Sequence, residues 1–86
     1  MNVRFNRGFR RQYKKLSKNE RSKVDGAIRL FSREPFHVVL NNHSLRGGYS
    51  GCRSINIGGD LRAIYKLTER EVAYFIAIGT HSELYF

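Results

Sequence analysis

A chain of 86 residues has room for one folded unit, and a 41% hydrophobic content places it among globular rather than disordered sequences. A single cysteine, Cys52, excludes an intrachain disulfide framework and any site of clustered cysteine ligands, and fits a reducing cytoplasm. The net charge of +9 is uneven: residues 1–33 hold eleven basic against two acidic side chains, while residues 34–86 balance, so the first part points to a polyanionic partner, nucleic acid or a strongly acidic protein.

Met1 to Phe5 is short and partly β-branched and is read as a possible edge strand. Phe9, Tyr13 and Leu16 then recur at helical spacing among arginines and lysines, which predicts a helix over Asn6 to Leu16. Ser17 followed by Glu20 makes a capping box, so a second helix starts at once. Its buried stripe is Val24, Ala27, Ile28 and Phe31, and Pro35 ends it. The two are expected to form an antiparallel hairpin. Residues 36–50 form a polar connection containing His37, His43, Gly47 and Gly48, longer than most loops. Beyond it, Cys52–Ile57 and Leu61–Leu67 flank a Gly58-Gly59 turn, and Val72–Ile78 completes an antiparallel meander.

The predicted fold is therefore α+β, residues 1–86 as one domain, with two N-terminal helices on one face of a small antiparallel sheet and the other face open. The longest apolar run, Val72 to Ile78, falls far short of the roughly 20 residues a membrane span needs. Arginines 4, 7, 10 and 11 interrupt the place where a signal peptide would carry its apolar core, so neither export nor a membrane is expected.

The common motif-borne chemistries are absent: there is no Walker loop, no His-Glu-x-x-His and no recognisable Ser-His-Asp order. Period-two alternation in Leu61–Leu67 assigns Leu61, Ala63, Tyr65 and Leu67 to the core and Asp60, Arg62, Ile64 and Lys66 to the open face. There Arg62 can hold a phosphate and offset charge on a pentacoordinate intermediate, or simply be solvated. His43 and His81 can serve as a base and acid pair, because imidazole changes charge near neutral pH, or be ordinary structural histidines. His37 is assigned no chemistry. Tyr85 and Phe86 can stack on a nucleobase or pin the tail to the core.

The segments Asn42-His43-Ser44-Leu45, Gly51 to Ile57, Asp60 to Lys66, and Gly79-Thr80-His81-Ser82-Glu83-Leu84-Tyr85 occur in an order that resembles the RelE superfamily of bacterial type II toxins, most closely its YafQ and RelE/StbE-like branch. The resemblance spans nearly the whole chain, and the Gly-Thr-His-x-x-Leu-aromatic ending is its most specific part. It implies a toxin that cleaves mRNA on the ribosome, needs neither metal nor cofactor, and is neutralised by a cognate antitoxin, whose complex with the toxin can bind operator DNA. It implies that His81 is the proton donor, His43 the loop histidine, Asp60 the acidic residue before the strand, Arg62 the phosphate-holding arginine and Tyr85 the C-terminal aromatic. Arg53, Asn56 and Lys66 join Tyr85 as RNA contacts. The implied reaction is attack of the ribose 2′-hydroxyl on the adjacent phosphorus, leaving a 2′,3′-cyclic or 3′-phosphate. Three positions depart from the family pattern: Asn56 stands where a histidine is frequent, Ser54 where an aspartate is, and Leu61 where a tryptophan is. The rival reading, on the same fold, is a ParE-like gyrase poison or a catalytically weakened relative that acts by binding alone.

Overall fold

A computed structural model describes residues Met1 to Tyr85. In chain order it contains β1 (Asn2–Phe5), α1 (Arg7–Lys14), α2 (Lys18–Arg33), β2 (His43–Ser44), β3 (Arg53–Gly58), β4 (Leu61–Leu67), β5 (Val72–Thr80) and α3 (His81–Tyr85). The expected meander is present as β3, β4 and β5, inside a five-stranded sheet of order β1-β5-β4-β3-β2.

The sheet is not purely antiparallel, because β1 runs parallel to β5, with Asn2 opposite Val72 and Phe5 opposite Phe75. Beyond Phe75 the outer edge of β5 is covered by α1 instead. The Asn6 amide donates to the Phe75 carbonyl at 3.0 Å, and Gln12 Oε1 accepts from the Ile78 amide at 2.9 Å. An edge that would otherwise offer itself to another chain is thus satisfied within the molecule. The opposite edge strand, β2, is only two residues long.

Helix α1 starts where Asn6 Oδ1 accepts from the Phe9 amide at 2.7 Å. It ends at Lys14, two residues before the expected Leu16, because the amides of Lys15 and Leu16 tighten onto the carbonyls of Gln12 and Tyr13. The chain must turn there into the extended Ser17, whose capping box with Glu20 opens α2. The helices do not close on each other as a tight hairpin. Helix α1 lies along β5 and α2 over β3, leaving a groove of about 680 Å³ floored by Phe5, Phe9, Tyr13, Val24 and Ile28. Tyr13 donates to Asp25 across it at 2.7 Å, and that bond is the main reason the phenol's pKa is raised.

The core beneath the helices is aromatic: Phe31 meets Tyr65 and Phe75 edge-on at centroid distances of 4.9 and 5.3 Å, and Phe9 and Phe5 continue the cluster. Replacing one such fully buried ring by alanine costs about 3–5 kcal/mol. Ala63 and Tyr65 face this core as the alternation predicts, but Leu67, at the far end of β4 opposite Ala73, is 48% exposed.

The other face is not open. Ile64, expected there as a surface residue, is fully buried with Cys52, Ala77 and Leu84 in a second, smaller core that Leu45, Tyr49, Ile76 and Tyr85 complete. Helix α3 and the segment around Tyr49 fold over this face. A bulge in β5 makes the cover possible: partners jump from Ile64–Ala77 to Tyr65–Phe75, so Ile76 and Ala77 both serve the second core.

Candidate active site

The residues with chemistry converge at the margin of the second core. A cavity of about 210 Å³ is lined by His43, Leu45, Ser54, Arg62, His81 and Tyr85. Four elements supply them, and each is fixed by local structure.

His43 belongs to β2, opposite Ser54 on β3. Its Nδ1 lies 2.8 Å from the carbonyl oxygen of Asn41, a residue in the left-handed region at φ 45°. A carbonyl can only accept, so Nδ1 carries the hydrogen and the unprotonated nitrogen of the neutral ring is Nε2. The preceding residue, Asn42, anchors the strand from the helical side. Its Nδ2 donates to the Pro35 carbonyl at 2.9 Å and to the Tyr65 hydroxyl at 2.8 Å, while its Oδ1 accepts from Arg53 Nε at 2.7 Å.

Arg62 sits on β4 opposite Asn56 and Gly79. Its Nη1 donates to the carbonyls of Gly59 and Leu61 at 2.8 and 3.0 Å, which ties the guanidinium to the β3–β4 turn. That turn is Gly59-Asp60, one residue later than predicted, with Gly59 at φ 56° and Gly58 paired to Leu61 across a bulge.

His81 and Tyr85 are the first and last residues of α3. The helix starts from a second capping box: Thr80 Oγ1 accepts from the Glu83 amide at 3.3 Å, and Glu83 Oε1 accepts from the Thr80 amide at 2.7 Å. The Thr80 backbone bond, and then the bond to its side chain, hold the Glu83 carboxyl below the usual carboxylate range. Gly79 lets the helix sit this close, since a Cβ there would lie 3.1 Å from Glu83 Oε1 and 3.5 Å from Leu84 Cδ2. The His81 ring rests on Tyr85 at 4.8 Å, and Tyr85 meets Tyr49 edge-on at 6.0 Å.

The remaining sequence candidates are placed elsewhere. Asp60 is exposed in the turn, outside the cavity lining. Arg53 lies on the helical face, held by Asn42 and stacked over Phe36 at 5.3 Å. Lys66 is exposed on the site's face of β4, beyond Ile64, and Asn56 flanks Arg62 with a buried Oδ1 that has no partner among the described residues. Phe86 lies outside the described residues. His37 caps a 3-10 turn, accepting from the Val39 amide through Nδ1.

Tyr49 and helix α3 have no place in the sequence reading, and Ser54 enters it only as a departure from the family pattern. For α3 the signal is present: Thr80-x-x-Glu83 is the same capping pattern that announces α2. No three His, Cys, Asp or Glu side chains gather closely enough among the described residues to hold a metal ion, and no helix there is long and apolar enough to cross a membrane.

Solved structures share this architecture. YafQ from E. coli strain BL21(DE3) superposes with a TM-score of 0.82 at 24% identity, over 99% of this chain and 98% of that one. The E. coli DinJ-YafQ toxin-antitoxin complex gives 0.79 at 25% identity, over 99% and 97%. A YoeB/ParE toxin from Agrobacterium tumefaciens gives 0.76 at 20% identity, over 94% and 99%. No curated protein matches the chain. The family model described as the bacterial toxin of a type II toxin-antitoxin system, YafQ, matches residues 1–86, and the chain belongs to that family.

Proposed function

We propose that this toxin is a metal-independent endoribonuclease that cuts mRNA on the ribosome. The observation that carries the reading is the convergence of two imidazoles and one arginine, from three separate elements, on a single small cavity. His43, with Nδ1 committed to Asn41, has Nε2 free to take the proton of a ribose 2′-hydroxyl. The oxygen attacks the adjacent phosphorus, Arg62 offsets the charge that grows on the phosphoryl oxygens, and His81 gives a proton to the departing 5′-oxygen. The products are a 2′,3′-cyclic phosphate and a 5′-hydroxyl.

Other residues take supporting places. Tyr85 offers a face for a base, Lys66 extends positive charge along the exposed end of β4, and Asn56 orients substrate beside Arg62 without exchanging protons. Asp60 and Arg53 act outside the cavity, the first through its charge at the turn, the second by holding Asn42. The cognate partner is an antitoxin, as DinJ is for the E. coli YafQ, and the complex of the two binds operator DNA through the antitoxin. The excess charge of residues 1–33 suits a ribosomal RNA surface. The place of action is the cytoplasm.

Induced expression of wild type and His81→Ala, with growth followed and mRNA ends mapped by primer extension, tests this. Arrest with new cuts in translated frames, both lost in the variant, is the expected result. Arrest without cuts would replace the nuclease by a gyrase-type poison.

A further inference from the structure

We infer that Ser54 is a phosphoryl-binding residue, donating its hydroxyl hydrogen to an anionic oxygen seated in the cavity between Arg62 and the two histidines. This deepens the nuclease reading and rests on it for the source of the phosphate.

Ser54 is 1% exposed, and its Oγ has no hydrogen-bond partner among the described residues. It is the second residue of β3, with His43 across one side and Ile64 across the other, and it lines the cavity. A buried hydroxyl left without a partner destabilises a fold relative to alanine, so stability offers no reason for this one. Tyr85, whose hydroxyl is likewise buried without a partner among the described residues, lines the same cavity. Two unengaged hydroxyls and a guanidinium around one space form a donor set for an oxyanion.

The charge balance agrees. Among the described residues no carboxylate lines the cavity, since Asp60 is exposed in the turn and Glu83 is turned back onto Thr80. Arg62 keeps only Nη1 engaged among the described residues. Size narrows the ligand further: about 210 Å³ accommodates a phosphoryl group with part of its ribose, below the roughly 300 Å³ at which ligand pockets for whole small molecules begin. The cavity therefore recognises the phosphate and leaves the base outside.

The test is titration of the full-length protein with inorganic phosphate, followed by NMR at the His43 and His81 imidazoles, without RNA. Saturable shifts at both rings are expected in wild type. Ser54→Ala is expected to weaken phosphate about tenfold or more, the worth of one hydrogen bond to a charged acceptor, with a melting temperature unchanged or higher. Non-saturable shifts, equal affinity in Ser54→Ala, or a lowered melting temperature in that variant would overturn the assignment. Phosphate binding by a protein that cuts no mRNA would retire the nuclease and leave the phosphoryl site standing.

Discussion

Leu84→Ala separates the cavity from the rest of the fold. Helix α3 has five residues, far fewer than an isolated helix needs to persist in water, so its seat on the sheet depends on what it buries. Leu84 is its one buried side chain, packed on Cys52, Ile64 and Ala77. Burying a leucine is worth about 1.5–3 kcal/mol relative to exposing it, and truncation to alanine forfeits most of that. At about 1.4 kcal/mol per tenfold, the ratio of docked to undocked α3 falls by roughly ten- to a hundredfold. His81 and Tyr85 travel with the helix, whereas the pairing of β3, β4 and β5 does not involve it. Hydrogen exchange at the α3 amides is expected to accelerate by that factor while exchange in β4 stays slow, and cleavage of a translated message in an extract is expected to fall with it. Wild-type cleavage alongside freely exchanging α3 amides would show that the chemistry does not need His81 in this position.

Asn42→Ala strips partners from the Tyr65 hydroxyl, Arg53 Nε and the Pro35 carbonyl together, and denaturant unfolding should show a loss of about 1–3 kcal/mol with weaker cleavage from a loosened β2. Because the folded Glu83 carboxyl has a lowered pKa, its stabilising contribution is complete above the ordinary carboxylate range and disappears as pH falls through the lowered value; α3 exchange should therefore quicken in acid, and Glu83→Gln should flatten that dependence. Asn56→His places a proton-exchanging ring beside Arg62, and single-turnover cleavage should rise above wild type if His43 alone limits the base step.

Much of the architecture was legible because the elements announce themselves locally. Ser17 and Glu20 mark α2, Pro35 ends it, and alternation in Leu61–Leu67 orients Ala63 and Tyr65 correctly. The misreadings of Ile64 and Arg53 share a cause: they need partners distant in sequence. Ile64 is buried only because α3 folds over it, which alternation within β4 cannot report. Arg53 looks like a free cation until Asn42 and Phe36 are brought against it. His43, Arg62, His81 and Tyr85 were nameable as types and by resemblance, and the structure gathers them; Asp60, nameable on the same grounds, is exposed in the turn outside the cavity lining. Ser54 was noticed only as a departure, since nothing in a serine's identity says that its hydroxyl will be buried without a partner.

The parallel pairing of β1 with β5 also governs when the molecule can exist. Asn2 meets Val72, so the first strand made waits for the last strand made, and the long intervening chain must be closed before either is rewarded. Helix α1 waits too, because the edge it covers belongs to β5. A nascent chain that stops short of Val72 has two helices with half a floor and an unpaired first strand. His81 and Tyr85 follow β5 directly, so synthesis of the cavity and closure of the sheet are nearly one event. A fragment released early carries the basic helices without His81 and Tyr85, so the cavity exists only in chains whose translation has passed the final strand.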